Sequence, residues 1–444
     1  MSAVRPIRRV GTRIQSAFLD FFQASSSAGI VIICFTAIAM VWINSPLGAS
    51  YVEFLHQELE FTIAGLHLHF TFEHFVNDAL MVVFFLVVGL EIKREMLIGE
   101  LSSLKKAMLP MIGAVFGMVF PAVIYATLNA GTPAIRGWGV PVATDIAFAL
   151  GFLALLGKRV PLGLKVFLAA LAIVDDLLSV LVIAVFYSGD LNMLMLLWAA
   201  IVTAVLYLGN RIGIHSIKFY IIGGLLLWYF VLQSGVHATI AGVILALTIP
   251  VNRKLTRQSF FRKVHDMVLD VMRTPEDERR DSDESDVIHA LEKMSERVQS
   301  PLARIEHGLQ PYVAFLIMPI FALANSGVAV TESMVAGLSS NLSLGIILGL
   351  VVGKQVGITL AAWLSLKLGW AELPAHTSLK HIYGVSLLCG IGFTMALFVA
   401  HLAYLDPANL QSAKLSILLG STISAIAGYM YLGRTLPKTP AVES

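Results

Sequence analysis

Residues 171–187 read LAIVDDLLSVLVIAVFY, an apolar run whose only charged members are Asp175 and Asp176. The run is nearly long enough to cross a bilayer, which is typical of a transmembrane helix. An ionisable side chain at membrane depth is costly, so it should face a cavity or a charged partner. Neighbouring residues on a helix point about 100° apart, so the two carboxylates can serve different roles. We interpret the pair as the centre of an ion site.

The rest of the chain has the composition of a polytopic membrane protein. Of its 444 residues, 57% are hydrophobic and 14% charged, with a mean hydropathy of +0.80. These values exclude a soluble domain of this length, because apolar runs recur along nearly the whole chain. Cys34 and Cys389 both lie inside apolar runs, which argues against a disulfide framework or a zinc site. We expect a lipid bilayer around the chain, no cofactor and no nucleic-acid partner.

Twelve spans can be drawn, with both termini on the cytoplasmic side. In this topology the cytoplasmic segments hold 28 of the 31 Lys and Arg residues, the exceptions being Arg136, Lys414 and Lys354. Such a bias is what the positive-inside rule predicts. The predicted spans are 24–44, 75–98, 108–128, 138–156, 163–187, 192–210, 217–234, 236–250, 311–330, 342–363, 382–402 and 414–432.

Two of these spans are interrupted. Pro141 lacks an amide hydrogen and disfavours helix in the residue before it, just ahead of Thr144 and Asp145. Gly390 and Gly392 loosen the backbone of the eleventh span. Broken backbone at membrane depth is tolerated only where it is buried in protein or lines a cavity. Two broken segments in the two halves of a chain indicate a transporter site built on inverted repeats.

We therefore expect an all-α integral membrane protein, in which the two interrupted helices cross near the middle of the bilayer. Asp145 would offset the positive N-terminal dipoles at this crossing, or it would simply cap a kinked helix. The whole chain, 1–444, is treated as one membrane domain. Its parts are the inverted-repeat bundle, 108–187 and 342–432, the remaining bundle, 192–330, the outer loop, 45–74, and the cytoplasmic loop, 252–310.

The two long loops differ in character. In the outer loop, residues 61–72 alternate around a glycine, which predicts a β-hairpin. It would pair with its copy in a homodimer or pack on its own protomer. In the cytoplasmic loop, the acidic run 275–286 is typical of a solvated segment. Residues 287–298 have the spacing of an amphipathic helix, and Ser300-Pro301 predicts the start of another helix. This loop is an ordinary helical hairpin or a regulatory module.

Several further charged residues lie in or beside the spans. Lys354, midway along a long span, either snorkels to the surface or pairs with a carboxylate, for which we favour Asp175. A cluster of Glu91, Arg94 and Glu95 ends the second span, and that span carries Asp78 at its other end. This arrangement suits a cation funnel, although solvated helix ends also look like this. Two further candidate functional sites remain. His237 has either a structural or a functional role, and Glu306-His307 could join the Glu91 cluster.

Four segments together closely resemble the NhaA-type sodium/proton antiporters. They are NDALMVVFFLVVGLEIKRE (77–95), ATDIAFA (143–149), AIVDD (172–176) and LCGIGFTM (388–395). The resemblance covers nearly the whole chain. It implies an electrogenic, pH-regulated antiporter, not an enzyme, that expels Na+ or Li+ and imports more than one proton per cation. It also implies a bacterial inner membrane and a homodimer formed through the outer loop.

The same resemblance implies roles for individual residues. Asp176 would be the principal cation and proton site, and Asp175 its neighbour, paired with Lys354 in the cation-free state. Thr144 and Asp145 would belong to the crossing of the broken helices. It assigns pH regulation to Glu91, Arg94, Glu95, Glu306, His307 and His237. The cytoplasmic loop is longer than in the best-known members, which leaves the geometry of Glu306 and His307 open.

Three other functions were weighed. A sodium-coupled solute symporter needs a separate organic-substrate pocket, which cannot be identified from the sequence. An intramembrane aspartyl protease needs two aspartates facing each other across two helices, whereas Asp175 and Asp176 are adjacent. A cation channel is disfavoured by Lys354, since a buried lysine repels cations in a pore. Burial disfavours the charged form of a carboxyl group, so a proton and a hard cation would compete for one site, which favours exchange.

Overall fold

A computed structural model describes residues 27–63, 66–252, 261–262, 264–266, 269 and 299–437. The predicted acidic run 275–286 and the amphipathic helix of 287–298 lie outside the described residues. The chain is mostly helical where it is described. The helices of the first half are α1 (Ser27–Ile43), α2 (Gly48–Leu55), α3 (Phe72–Leu97), α4 (Leu104–Leu128), α5 (Pro133–Val142, a 3₁₀ helix), α6 (Ile146–Leu155) and α7 (Leu162–Phe186).

Helices also make up the second half. They are α8 (Met193–Ile212), α9 (Ile217–Leu232), α10 (Ile240–Thr248), α11 (Pro301–Asn325), α12 (Asn341–Lys367), α13 (Leu379–Leu388), α14 (Phe393–Ala403) and α15 (Pro407–Thr435). Short helical turns connect them at Glu100–Ser102, Gly157–Arg159, Glu332–Ala336 and Gly337–Ser339.

By length and apolarity, seven helices in the described part of the chain could cross a membrane, namely α3, α4, α7, α8, α11, α12 and α15. The number rises to ten if each sharply bent pair is one span. The pairs are α1–α2, bent by 117°, α5–α6, by 41°, and α13–α14, by 50°. The last two bends are the predicted interruptions. Twelve spans and inverted repeats remain predictions.

Helix α11 begins earlier than the predicted ninth span. The Ser300 hydroxyl accepts a hydrogen bond from the Ala303 amide at 3.2 Å, and Pro301 occupies the first turn. This confirms the helix start predicted at Ser300-Pro301. The apolar span was predicted from residue 311, but the helix runs unbroken from Pro301 to Asn325. Glu306 and His307 therefore lie within a membrane-length helix rather than just before one.

The outer loop contains two antiparallel strands, β1 (Glu58–Ile63) and β2 (Leu66–Thr71), paired from Glu58 opposite Thr71 to Ile63 opposite Leu66. An exposed pair, His69 Nδ1 and Glu60 Oε1, lies 3.3 Å apart across the strands. Strand β2 leads directly into α3, where the Thr71 hydroxyl accepts from the His74 amide. The side of the membrane on which these strands lie, and their pairing with a second copy, remain predictions.

Close packing between α4 and α12 depends on glycine. A Cβ added at Gly353 would lie 2.7 Å from Pro121 Cα, and one at Gly357 would overlap the Phe116 carbonyl. Small residues allow membrane helices to approach closely. The residue that follows Gly353 is Lys354, whose side chain is thereby held inside the protein.

Wide π-helical turns interrupt three of the long helices. They cover Val76–Leu80 in α3, Val313–Ile317 in α11 and Gly349–Gly353 in α12. Such turns are frequent at functional sites, because they redirect side chains within an otherwise regular helix. The first contains Asp78, and the third ends immediately before Lys354. Two predicted site residues are thus placed by irregular turns.

Arg159 fastens the C-terminal end of α15. Its guanidinium donates to the carbonyls of Gly433 at 2.6 Å, Leu436 at 3.0 Å and Pro437 at 3.1 Å. These are charge-assisted bonds to carbonyls that the helix itself leaves without partners.

We expect Arg159→Ala to destabilise the protein by about 1–3 kcal/mol, measured as a lower Tm in detergent micelles. Lys158→Ala, which removes an exposed neighbouring charge, should leave the Tm unchanged; equal losses would contradict this role.

Candidate functional site at the helix crossing

The two interrupted spans meet at their breaks. The Thr144 hydroxyl donates to the Cys389 carbonyl at 3.0 Å, and the Asp145 amide donates to the Ile391 carbonyl at 2.7 Å. Both bonds join the α5–α6 break to carbonyls around the C-terminal end of α13. Buried backbone groups need partners, and here each broken span supplies them to the other. The two breaks are therefore in direct contact, as the predicted crossing requires, and Thr144 and Asp145 are buried there.

Asp145 caps two helices at once. One carboxylate oxygen accepts from the Phe148 amide of its own helix α6 at 3.1 Å. The other accepts from the Thr394 amide of α14 at 3.1 Å and from the Thr394 hydroxyl. Helix N-termini carry partial positive charge, so one carboxylate offsets two of them. Both readings of Asp145, dipole compensation and helix cap, thus hold together.

The residues that break the helices also allow the close contact. Gly392 lies so near the other break that an added Cβ would be 3.0 Å from the Ala143 carbonyl. An added Cβ at Gly390 would lie 2.5 Å from the Ser424 hydroxyl of α15. Pro141 lies in the last turn of α5 and packs on Gly349 of α12. A side chain at Gly392 would separate the two breaks, and one at Gly390 would push the α13–α14 break away from α12 and α15.

The adjacent aspartates lie near the middle of α7, and both are buried. Lys354 Nζ donates to Asp175 Oδ2 at 2.7 Å. The Lys354 side chain is 0% exposed, so it does not snorkel to the surface. The predicted pairing with Asp175 is confirmed, and it holds α12 against α7.

Asp176 has no such partner. No salt bridge to it is formed within the described part of the chain, and its Oδ1 atom is buried without a hydrogen-bond partner there, as is Oδ1 of Asp175. Uncompensated buried carboxylate oxygens bind a proton, a cation or water. In the described residues, no cluster of His, Cys, Asp and Glu has the arrangement of a resident metal centre.

Near the C-terminal end of α3, the Arg94 guanidinium lies close to three carboxylates. Its guanidinium forms an ion pair with Glu306 of α11, lies 3.2 Å from Glu95 Oε1 and lies 4.0 Å from Glu91 Oε1. Glu306 is buried, whereas His307 beside it is exposed. The open question of Glu306 is thereby answered, because it joins the cluster directly. We call Glu91, Arg94, Glu95 and Glu306 the inner cluster.

His237 lies at the opposite end of α7 from this cluster. Its Nε2 atom is 2.8 Å from the carbonyl of Tyr187, the residue that ends α7. Burial lowers the pKa of His237, against the opposing effects of that hydrogen bond and of the Asp78 charge. The Asp78 carbonyl accepts from Trp228 Nε1 at 2.9 Å. His237 thus contacts the end of the aspartate-bearing helix rather than the aspartates.

Glu73, His401 and Lys414 form a group of charged residues that the sequence did not reveal as a group. His401 Nδ1 of α14 lies 3.6 Å from Glu73 Oε1 of α3. Lys414 is the first residue of the predicted span 414–432, but α15 already begins at Pro407 and Lys414 is buried within it. His401 and Lys414 are both polar residues in or beside an apolar run, and this pattern could have identified them in the sequence. A second missed contact is the reciprocal amide pair Asn77–Asn325, at 3.0 and 3.4 Å.

The chain matches one protein family and is similar to known proteins over most of its length. The sequence profile of the family described as "Na+/H+ antiporter 1" matches residues 19–432. The chain is 46% identical over 423 residues to "Na(+)/H(+) antiporter NhaA" of Oleidesulfovibrio alaskensis, covering 95% of this chain and 94% of that protein. It is 44% identical over 425 residues to "Na(+)/H(+) antiporter NhaA" of Vibrio vulnificus, covering 95% and 97%.

Among solved structures, the chain is similar to "the sodium proton antiporter MjNhaP1 from Methanocaldococcus jannaschii at pH 8". The TM-score is 0.45 and the sequence identity 15%, over 92% of this chain and 91% of that chain. This likeness is too distant to add to the description of the fold or the site.

The Lys354–Asp175 pair generates a stability prediction. Removing one partner of a buried ion pair leaves an uncompensated charge, at a cost of about 3–5 kcal/mol. We expect Lys354→Ala to lower the Tm in detergent accordingly, and Asp175→Asn in the same chain to restore part of the loss. Lys380→Ala, at an exposed position, is the control. Additive losses in the double variant would show that the two residues are not energetically coupled.

Proposed function

The chain belongs to the Na+/H+ antiporter 1 family, and we propose that it exchanges sodium for protons across a bacterial inner membrane at its aspartate pair. The observation that carries this proposal is that only one of the two adjacent carboxylates has a basic partner among the described residues. Asp175 has its charge balanced by Lys354 at 2.7 Å, whereas Asp176 has no basic partner in the described residues. The relatives named above are antiporters, so a sodium-coupled symporter has no support.

Exchange follows from competition at Asp176. A buried carboxylate without a countercharge is strongly disfavoured. A proton removes the charge and a sodium ion balances it, but one carboxylate cannot hold both. If the site opens to one side of the membrane at a time, each cation carried outward is replaced by protons carried inward. No further coupling device is required.

Lys354 offers a reason for electrogenic exchange. A buried ammonium keeps its proton while a carboxylate balances it. A cation that draws Asp175 away from Lys354 would remove that balance, and the lysine would release its proton. Binding one cation would then displace two protons, one from Asp176 and one from Lys354. The net charge moved per cycle would be one.

Asp145 and Thr144 have a supporting role in this proposal. Their side-chain oxygens are already engaged at the helix crossing, so they would hold the rigid frame next to the ion site. Any direct contact with the cation would come after rearrangement of these caps. Asp78 would draw cations towards the outer end of α3, as the predicted pathway requires.

We assign pH regulation to the inner cluster and His237. Glu306 on α11 and Glu91 on α3 share Arg94, so protonation of either carboxylate would loosen the contact between the two helices. The exposed His307 would modulate this contact from the surface. Lithium as a second substrate and a homodimer through β1 and β2 complete the proposal on the basis of the family resemblance. Cytoplasmic termini are proposed from the distribution of Lys and Arg.

The decisive experiment removes one charge. Asp176→Asn keeps the size of the side chain and abolishes its titration, so sodium-driven proton movement in proteoliposomes should fall to the level of empty liposomes. Asp190→Asn, in an exposed loop, should retain full exchange. Exchange at the wild-type rate in Asp176→Asn would remove the site assignment. A folded, inserted variant is confirmed by its elution and Tm in detergent.

The proposed role of the inner cluster in pH regulation is tested by the pH dependence of exchange. Glu91→Gln removes a negative charge beside Glu95 and Glu306, which makes ionisation of those carboxylates easier. We therefore expect the midpoint of the activity–pH curve to move to lower pH by roughly half a unit or more. The measurement is made at high ionic strength, where steering by surface charge is screened. Glu372→Gln, at an exposed site, is the control. A constant midpoint with weaker sodium affinity at every pH would favour simple steering.

A further inference from the structure

A buried serine next to the aspartates is left without a partner. Ser179 of α7 is 2% exposed, and its hydroxyl makes no hydrogen bond with any described residue. Ser424 of α15 is the other buried serine in the described residues whose hydroxyl has no partner, whereas two further buried serines bond to their own helices. Ser365 of α12 donates to the Ala361 carbonyl at 2.7 Å, and Ser416 of α15 donates to the Ser412 carbonyl at 2.7 Å. A hydroxyl that forgoes this bond to its own helix is available to another partner.

Ser179 shares a helix face with the aspartates. It follows Asp176 by three residues and Asp175 by four, the spacings that bring side chains together on a helix. Leu181 is 60% exposed and Leu177 is also exposed, so the opposite face of α7 points outward from the protein. The hydroxyl oxygen therefore lies on the interior side, about one helical turn from Asp176 towards Tyr187.

Three oxygens on this face of α7 lack hydrogen-bond partners among the described residues: Oδ1 of Asp175, Oδ1 of Asp176 and Oγ of Ser179. Buried polar atoms are nearly always satisfied by protein or by a bound species. The apolar surroundings of a membrane helix make unsatisfied atoms especially costly. Three such atoms within about one turn indicate that the protein stabilises a bound species there.

The chemistry of the hydroxyl distinguishes a cation from a proton. A proton on Asp176 needs a single oxygen, whereas a hard cation needs several oxygen ligands around it. A hydroxyl oxygen donates lone pairs without adding charge, so it strengthens cation binding and leaves the charge balance with Asp176 unchanged. We propose that the Ser179 hydroxyl is a ligand of the transported cation beside Asp176 and raises the affinity for sodium relative to that for protons. This inference rests on the proposed exchange at Asp176.

The test compares Ser179→Ala with Ser179→Thr in proteoliposomes. At a fixed pH we expect Ser179→Ala to raise the sodium concentration for half-maximal proton movement by about three- to tenfold, as loss of one neutral polar contact implies. The maximal rate should be retained. Ser179→Thr keeps the hydroxyl and should stay within about twofold of the wild type. Ser365→Ala, which removes an equally buried but hydrogen-bonded hydroxyl, should not change the sodium requirement.

Thermal unfolding in detergent separates ligation from packing. A purely structural serine would give the same loss of stability with and without sodium. A ligand should instead reduce the rise in Tm that sodium produces, because stabilisation by binding depends on affinity. Without sodium, Ser179→Ala should unfold at the same or a higher temperature than the wild type, since an unsatisfied buried hydroxyl is removed.

The outcomes are distinguishable. An unchanged sodium requirement in Ser179→Ala, with exchange abolished in Asp176→Asn, overturns the role of Ser179 and leaves the proposed function intact. Full exchange in Asp176→Asn overturns the proposed function itself. A raised sodium requirement in Ser179→Thr as large as that in Ser179→Ala would also overturn the inference, because the hydroxyl would then not be the group that matters.

Discussion

The structure depends on satisfying broken backbone where there is no water to do it. Unpaired amides and carbonyls are not tolerated in the hydrocarbon region, yet two spans are interrupted near each other. Asp145 accepts from the N-termini of both α6 and α14, and Thr144 donates to a carbonyl at the end of α13. The Phe393 amide is satisfied by the Ser421 hydroxyl of α15 at 3.1 Å. The crossing is thus a rigid, saturated centre, against which the neighbouring helices carry the groups that remain free to react.

Beside the crossing, three buried carboxylates are compensated unequally. Asp145, Asp175 and Asp176 are buried near one another, and Lys354 compensates only Asp175. The cap contacts of Asp145 spread its charge over two helix dipoles, which leaves Asp176 as the carboxylate with the least compensation. A protein could remove this imbalance with one more lysine. The imbalance in so apolar an interior is the physical basis of the proposal that Asp176 binds a cation and a proton in turn.

Local sequence predicted the features that depend on local chemistry. Pro141, Gly390 and Gly392 marked the breaks, and the depth of Lys354 implied its carboxylate partner. Contacts between distant helices were harder to predict. Glu306 joins Arg94 because α11 lies beside α3; Ser300-Pro301 predicted the start of α11, but a hydropathy pattern does not predict which helix it packs on. The π-helical turns likewise have no pattern in the sequence that indicates them.

The inner cluster and His237, to which we assign pH regulation, contact α7 or its neighbour α3 rather than the aspartates. Three members of the inner cluster are on α3, whose Val88 and Ile92 pack on Ile173, about one turn before Asp176. At the outer end, His237 bonds to the last carbonyl of the same helix. Burial lowers the pKa of His237, so the neutral imidazole is favoured in the folded protein and its stabilising contribution declines as pH falls through the unfolded value of about 6.5. Under the proposed pH regulation, either region would therefore act on Asp176 through α7.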